Sequence, residues 1–471
     1  MTDVPVIWWV RRDLRVTDNP ALVAAAARGR VIPVFILDEA FDGLGAAAKM
    51  RLGLGLEEFD AALRARGSRL VLRRGAALEV LRAVVAEVGA RAVHWARCYD
   101  PEAIARDTLV KAGLKSDGFE AESHGGHVLF EPWTVQTGQG GMYKVYTPFW
   151  NNLRGRDPGV PLSEPKLRAP AVWPVSDQLE AWDLAGEMKR GAAIVRKHMR
   201  PGESAAFAAL DRFMDGPVEQ YKDRRDFPAV AATSQLSEYL TYGEISARSI
   251  WSAGQRATLT GALGGEQFLK ELVWREFAYH LMYHSPHILS ESWRAGWERF
   301  PWSKDAEQAS VLAWKQGRTG VEFVDAAMRE MYVTGKMHNR ARMIVASYLT
   351  KHLMVDWRVG RDWFAECLTD WDIASNAMGW QWVAGCGPDA APFFRVFNPE
   401  TQAKKFDPDM AYRRRWIAEG QSAPSEMALA YFDAVPQTWG LSAQMRYPET
   451  PIVALKAGRE AALAAFAARQ T

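Results

Sequence analysis

The side chains of this chain best suited to chemistry cluster in its second half. Thr233-Ser-Gln-Leu-Ser237 sets three hydroxyls where a helical pattern begins. With free backbone N–H groups behind them, such hydroxyls form a phosphate cradle, and equally they serve as a plain helix cap. Asp370 and Asp372 stand two residues apart, flanked by Trp371 and Ile373. Two carboxylates in apolar company are costly to bury without a cation, so they read as part of a buried charge pair or as an exposed acidic turn. Glu271 lies in an apolar helical run beside Leu272 and Val273, where an acid needs a partner if it is buried. Asn376 taken alone is a helix-cap amide. The 20 tryptophans supply core, flat stacking walls or stations for electron hopping, and composition does not separate these roles.

Bulk properties narrow the classes. A chain of 471 residues with 48% apolar and 24% charged side chains suits two or three globular domains. A net charge of only +2 means that any phosphate-binding surface is a local patch. Three scattered cysteines, Cys98, Cys367 and Cys386, fit neither a disulfide framework nor a thiolate cluster, and no metal site is expected. The N-terminus reaches charge before a signal-peptide core can form, and no apolar run approaches the roughly 18 residues of a membrane span. A cytoplasmic, monomeric protein with no membrane contact is expected.

These residues must be held by elements that the patterning outlines. Over residues 1–130, the runs Val6–Val10, Val31–Leu37, Arg69–Arg73 and Ala92–Trp95 suit buried parallel strands. They alternate with helical patterns at Lys49–Arg66 and Ala77–Val88, and Asn19-Pro20 reads as an N-cap followed by a first-turn proline. This is an α/β domain with a doubly wound parallel sheet. Gly43-Leu-Gly45 reads as a loop glycine pair rather than a dinucleotide fingerprint. Residues 131–202, rich in Gly and Pro, read as an interdomain linker. Residues 203–471 are helical, with helices expected at Glu203–Met214, Ser237–Ala253, Gly265–Tyr283, Val321–Tyr332, Asn339–Leu353, Arg361–Leu368 and Val453–Arg469.

Ordered motifs along nearly the whole chain resemble the photolyase/cryptochrome family. The opening Trp9-Val-Arg-Arg-Asp-Leu-Arg-Val-Thr-Asp-Asn-Pro-Ala-Leu22 is similar to that family's first strand and loop. Further matches are Tyr221-x3-Arg225-Asp-Phe-Pro, Thr233-Ser-x-Leu-Ser237, Glu271-Leu-Val-Trp-Arg-Glu-Phe277 and Thr319-Gly-x4-Asp325-Ala-Ala-Met-Arg. Then follow Met337-His-Asn-Arg-Ala-Arg-Met343, Asp356-Trp-Arg358, Asn376-x2-Gly-Trp-Gln-Trp382 and the run Asp389–Pro399. The resemblance implies an α/β antenna domain followed by an all-α C-terminal FAD-binding domain. It also implies light-driven repair of cyclobutane pyrimidine dimers in UV-damaged DNA by an electron from excited reduced FAD.

By the same resemblance, Tyr221, Thr233, Ser234, Gln235, Leu236 and Ser237 hold the FAD pyrophosphate. Arg342 pairs with Asp370 beside the isoalloxazine, Asp372 and Arg275 complete the cofactor site, and Asn376 faces flavin N5. Plant-type cryptochromes carry an acid at that last position, so Asn376 implies repair over photosensing. By that resemblance, a flipped-out dimer would meet Glu271, Trp274, Asn339, Met343 and Trp382. Arg225, Arg275, Arg340, Arg395 and Gln402 would take the rim and its phosphates. Trp380, Trp357 and Trp302 match the family's electron-transfer tryptophans. Cys98-Tyr-Asp100-Pro-Glu102 resembles the loop whose carboxylate holds a folate-type antenna, so Asp100 or Glu102 is a candidate, although a turn opening the next helix serves as well. The antenna is expected to be methenyltetrahydrofolate, with a deazaflavin or second flavin as alternatives. Where the (6-4) branch of the family carries two histidines facing its substrate, this chain has Asn339 and Met343. Lys336, Ala278 and Ala377-Met378 depart from the common pattern. A cryptochrome-type photoreceptor is the alternative reading; no nicotinamide fingerprint supports an oxidoreductase.

Overall fold

The structure, a computed structural model, describes residues 4–41, 43–390 and 392–469. Met1–Asp3 of the opening run and Ala391 of the Asp389–Pro399 motif lie outside the described residues. The chain begins with β1 (Pro5–Val10), α1 (Pro20–Arg28), β2 (Arg30–Leu37), α2 (Ala46–Arg64), β3 (Val71–Arg74), α3 (Ala77–Val88), β4 (Ala92–Ala96), α4 (Pro101–Ser116) and β5 (Glu120–His124). The five strands are parallel in the order β3-β2-β1-β4-β5, which is the doubly wound sheet expected. The inner strands are apolar on both faces because helices cover both. Trp8, Phe35, Leu56 and Phe59 pack on the α1–α2 side, and Ile7, Trp9, Val34 and Leu81 on the α3–α4 side. Asn19 caps α1 as its type foretells, its Oδ1 accepting from Leu22 N at 3.1 Å ahead of Pro20.

Residues 131–202 contain α5 (Tyr146–Leu153) and α6 (Gly191–Arg196). Tyr146, Phe149, Trp150 and Leu153 are buried in a core shared with the helical half. That half continues through α7 (Glu203–Met214), α8 (Pro217–Arg224), α9 (Ser237–Tyr242), α10 (Ala247–Leu259) and α11 (Gly265–His284). Next come α12 (Ala309–Lys315), α13 (Glu322–Thr334), α14 (Asn339–Ser347), α15 (Trp357–Cys367) and α16 (Ile373–Ala384). It closes with α17 (Pro399–Phe406), α18 (Ala411–Trp416), α19 (Glu426–Ala434) and α20 (Leu455–Arg469). Among the described residues, no helix is long and apolar enough to cross a membrane.

Three expected helices differ: Arg361–Leu368 begins four residues earlier, at Trp357 behind the Asp356 cap. Ser237–Ala253 is broken into α9 and α10 at Gly243, whose φ is +66°. A Cβ there would lie 2.0 Å from the Arg12 carbonyl, so glycine permits both the left-handed turn and the approach of the N-terminal domain. Ser246 then restarts the helix, its Oγ accepting from Ser249 N at 2.9 Å. Asn339–Leu353 turns from α to π at Tyr348–His352, a wider turn that recurs at functional sites.

Buried polar groups dock the two halves. Arg51 on α2 is fully buried and pairs with Glu238 and Glu244 of the helical half. The Glu203 carboxylate accepts from Val16 N at 3.0 Å and Thr17 N at 2.9 Å, and Asp18 takes Arg248 and the Ser246 hydroxyl. Each charge removed from water here meets an opposite charge or a donor, which is the condition for burying it.

Candidate active site

Two neighbouring cavities, of about 180 and 500 Å³, open among the helices and share Asn339, Arg342 and Asp370 on their walls. Arg342 Nη2 donates to Asp370 Oδ1 at 2.9 Å and Oδ2 at 2.8 Å, while its Nε donates to the Met337 carbonyl at 2.8 Å. Ser237 Oγ donates to Asp370 Oδ2 at 2.7 Å, and Thr241 Oγ1 to the Asp370 carbonyl at 3.1 Å. Asp370 is therefore a buried, fully partnered acid and not the exposed turn that its sequence also allowed.

Asp372 opens α16. Its Oδ1 caps Ser375 N at 2.8 Å, and its Oδ2 accepts from the Tyr279 hydroxyl. Burial, then the charge of Asp372, pushes the Tyr279 phenol well above its ordinary range, so it stays a donor. His127 Nε2 lies 2.8 Å from that hydroxyl, and Arg275 clasps His127 through its carbonyl at 2.9 Å and Nε2 at 2.8 Å. This corrects the rim position expected for Arg275: its guanidinium turns into the domain junction and is spent there. Tyr279 and His127 were not singled out in the sequence, although Tyr279 lies two helical turns from Glu271 on the same helix.

Asn376 Nδ2 donates to the Arg361 carbonyl at 3.0 Å, and its side chain borders the smaller cavity. Tyr221 and Thr233–Ser237 all line the larger one. Their arrangement corrects the simple cradle, because α9 is only six residues long and the Ser237 hydroxyl goes to Asp370 rather than to helix N–H groups. Thr233 Oγ1 accepts from Gln235 Nε2 at 2.7 Å, with Gln235 at a φ of +58°. Of the departures, Lys336 also lines this cavity and pairs with Glu238 at 2.6 Å; Ala278 is core, and Met378 packs against the core.

At the outer face, Arg225 pairs with Glu271, which also takes Gln267 Nε2 at 2.8 Å. Burial raises the Glu271 carboxyl pKa and Arg225 opposes the rise. The expectation that a Glu271 in apolar surroundings has a partner is met. Trp274 stacks on Tyr146, with centroids 3.7 Å apart and planes 5° from parallel. Tyr146 comes from the connecting segment, so nothing in the α11 sequence announced it. Asn339 is exposed at the start of α14 with Met343 one turn on, and both border the smaller cavity. Trp382 is half-buried on α16 and has no ring contact with Trp274 among the described residues. Arg340 pairs with Asp226 at 2.6 Å; Arg395 is exposed, and Gln402 is half-buried on α17.

The three expected electron-transfer tryptophans are buried but do not touch ring to ring. Trp380 packs edge-on to Phe364 at 4.9 Å and Trp314 at 6.3 Å. Trp357 donates to Ser292 Oγ at 3.3 Å between the guanidinium groups of Arg358 and Arg361, and Trp302 stacks on Trp297 at 5.4 Å. A third cavity, of about 390 Å³, lies between the domains and is lined by Asp100, Glu102, Arg12 and Trp371. Asp100 caps α4, its Oδ1 accepting from Ala103 N at 2.9 Å, so the helix-opening reading of that loop is realised alongside its place on the cavity wall.

Residues 6–166 match the family model described as DNA photolyase, and residues 268–468 match that of the FAD binding domain of DNA photolyase. A deoxyribodipyrimidine photo-lyase of Agrobacterium fabrum is 44% identical over 98% of this chain and 98% of its own. Cryptochrome-1 of Arabidopsis thaliana is 33% identical over 95% of this chain and 68% of its own. The crystal structure of a bacterial class III photolyase from Agrobacterium tumefaciens superposes with a TM-score of 0.91 at 44% identity, covering 100% of this chain and 98% of that one. The motifs, the α/β and helical halves and the buried Arg342–Asp370 pair thus lead to one conclusion: the chain belongs to the DNA photolyase/cryptochrome family.

Proposed function

We propose that this chain splits cyclobutane pyrimidine dimers in DNA with light, holding FAD in the two joined cavities of its helical half. One observation carries the reading: a buried, hydroxyl-braced Asp370, paired with Arg342, stands where the cavities meet. The walls fit a flavin dinucleotide. The hydroxyls of Thr233 and Ser234 line the larger cavity, and Trp380 Nε1 is a buried donor without a protein partner beside the smaller one. When bound and reduced, FAD supplies the light-excited electron that opens the dimer and is returned afterwards.

The protein's share is position and charge. Asp370 and the Met337 carbonyl fix the Arg342 guanidinium, which favours a negative charge in the smaller cavity. Asp372 is locked by Tyr279 as a fixed acceptor, and the amide of Asn376 offers a hydrogen bond without an acid proton. Glu271, Trp274, Asn339, Met343 and Trp382 hold the flipped lesion, with Arg225, Arg340, Arg395 and Gln402 taking backbone or edge contacts. Trp380, Trp357 and Trp302 carry electrons inward. A methenyltetrahydrofolate antenna, ahead of a deazaflavin or second flavin, would sit in the interdomain cavity beside Asp100 and Glu102. The free thiols of Cys98, Cys367 and Cys386 suit a monomer working in a reducing cytoplasm.

Asn339 and Met343 are not acids near neutral pH. Burial pushes the adjacent His338 down to about 4, and its Nδ1 already accepts from Arg340 N at 3.2 Å. Neither Asn339 nor Met343 supplies a proton, so oligonucleotides carrying a cyclobutane dimer should be repaired under blue light and those carrying a (6-4) photoproduct should not. Chromatographic product analysis decides: efficient (6-4) repair refutes the lesion assignment. A photoreducible flavoprotein that repairs neither lesion supports the cryptochrome alternative.

A further inference from the structure

At the outer edge of the parallel sheet, on β4 and β5, two imidazoles and a carboxylate converge. Pairing of β4 with β5 sets His94 opposite Glu122 and Ala96 opposite His124. Side chains alternate along a strand and paired neighbours share a face, so His94, Glu122 and His124 project together. His94 Nδ1 and His124 Nε2 are 3.0 Å apart, and Glu122 Oε2 is 3.9 Å from His94 Nδ1. The three donor atoms all lie within 4.8 Å of one another. We infer that His94, Glu122 and His124 bind one divalent transition-metal ion, zinc by choice, in a two-histidine, one-carboxylate site that fastens edge strand β5 to the sheet.

The spacing suits the ion. Two nitrogens about 2.1 Å from one tetrahedral zinc stand about 3.4 Å apart, so the observed pair needs to open by only a few tenths of an ångström. A hydrogen bond between the imidazoles would explain the short His94–His124 distance, and the strand register sets the carboxylate beside them as a third donor. Two imidazoles favour zinc, nickel or copper over magnesium or calcium, which prefer oxygen donors. His94 is buried while the Glu122 side chain is about half exposed, so water can complete the fourth position. Lys111 and Arg97 lie nearby, but both reach Ser123 Oγ, which alternation along the strand points to the opposite face. A metal here also answers a structural need: EAESH has no apolar run, so side-chain burial alone does little to hold β5.

The test uses the untagged full-length flavoprotein, stripped with chelator and titrated with Zn²⁺ by calorimetry and with Co²⁺ by visible spectroscopy. Wild type should take up one ion per chain, give the intense visible bands of low-coordinate cobalt, and unfold at a higher temperature with zinc present. His124→Asn, at a partly exposed position, should lose the stoichiometric ion and the cobalt bands while keeping its flavin. Glu122→Gln should bind at least about tenfold more weakly, as for metal sites that lose a supporting group. The inference is overturned if wild type takes up no ion. It is equally overturned if His124→Asn or Glu122→Gln binds as wild type does, which would assign the uptake to the other histidines.

Discussion

Asp370 shows how little of a residue's role its type conveys. Its carboxylate satisfies Arg342 and Ser237 while its backbone carbonyl takes Thr241, so loss of the side chain strands two groups. Asp370→Ala should cost toward the lower end of the roughly 3–5 kcal/mol typical of a broken buried pair, because the Arg342 guanidinium is partly exposed. Flavin occupancy after purification should fall; occupancy equal to wild type would rule the role out. Glu276 makes a different prediction. It is buried on α11, accepts from Leu129 N at 2.7 Å, and lies 3.5 Å from Arg275. Burial dominates and pushes its carboxyl up to about 7. The folded state therefore holds a proton that the unfolded chain releases near its ordinary value of about 4.3. The stability due to that group is fully present below about pH 4.3 and is lost as pH rises through 7. Between pH 5 and 8, wild type should lose up to about 3 kcal/mol relative to Glu276→Gln, which keeps an acceptor for Leu129 N. Urea titrations across that range check it, and parallel pH dependence in the two proteins contradicts it.

At the scale of elements, the approach of α15 to α16 decides where the tryptophans sit. Gly360 lets the helices close: a Cβ there would lie 2.0 Å from the Trp380 ring. Trp380 therefore leans on the same helix that begins with Trp357, although the two rings do not touch. If these residues carry electrons inward, Trp357→Phe should slow light-driven reduction of bound FAD, because phenylalanine is harder to oxidise and similar enough in shape to limit packing loss. Repair by the chemically reduced variant should match wild type. Unimpaired photoreduction would point to entry elsewhere, and Trp314, edge-on to Trp380 at 6.3 Å, is the nearest other indole to examine. Helix starts in this region are set by cap residues that the apolar pattern did not reveal: α15 begins at Trp357, four residues before the expected Arg361, and α16 was not expected as a helix. Asp356 caps α15 and Asp372 caps α16, each accepting a backbone N–H. The break between α9 and α10 was signalled by Gly243 and Ser246, but an unbroken apolar pattern obscured it.

For the whole molecule, the junction between the halves matters as much as either core. Arg51 carries two acids from the helical half, and Lys336 shares one of them at 2.6 Å. Arg51→Met keeps an aliphatic side chain but leaves Glu244 buried without its cation, so it should lower stability by roughly 3–5 kcal/mol. Thermal unfolding with a flavin and a tryptophan probe reads this out. A melting temperature equal to wild type would mean that the Arg51 ion pairs contribute nothing to holding the halves together.

The sequence by itself determined the two-part architecture, because doubly covered parallel strands demand continuous apolar runs and helices demand a stripe. It also determined the inventory of chemical groups, since Arg342, Asp370, Asp372 and Asn376 are legible as types in ordered motifs. Tertiary structure alone decided which of those groups meet. Arg275 turns inward to His127, Ser237 donates to Asp370, and Tyr146 arrives from the connector to stack on Trp274. Strand β5 likewise exists only by pairing with β4, since its polar residues have no periodicity to read. The physical reason is common to all four: local pattern reports the burial of a side chain's own element, whereas its polar partner is set by the packing of segments far apart in the chain.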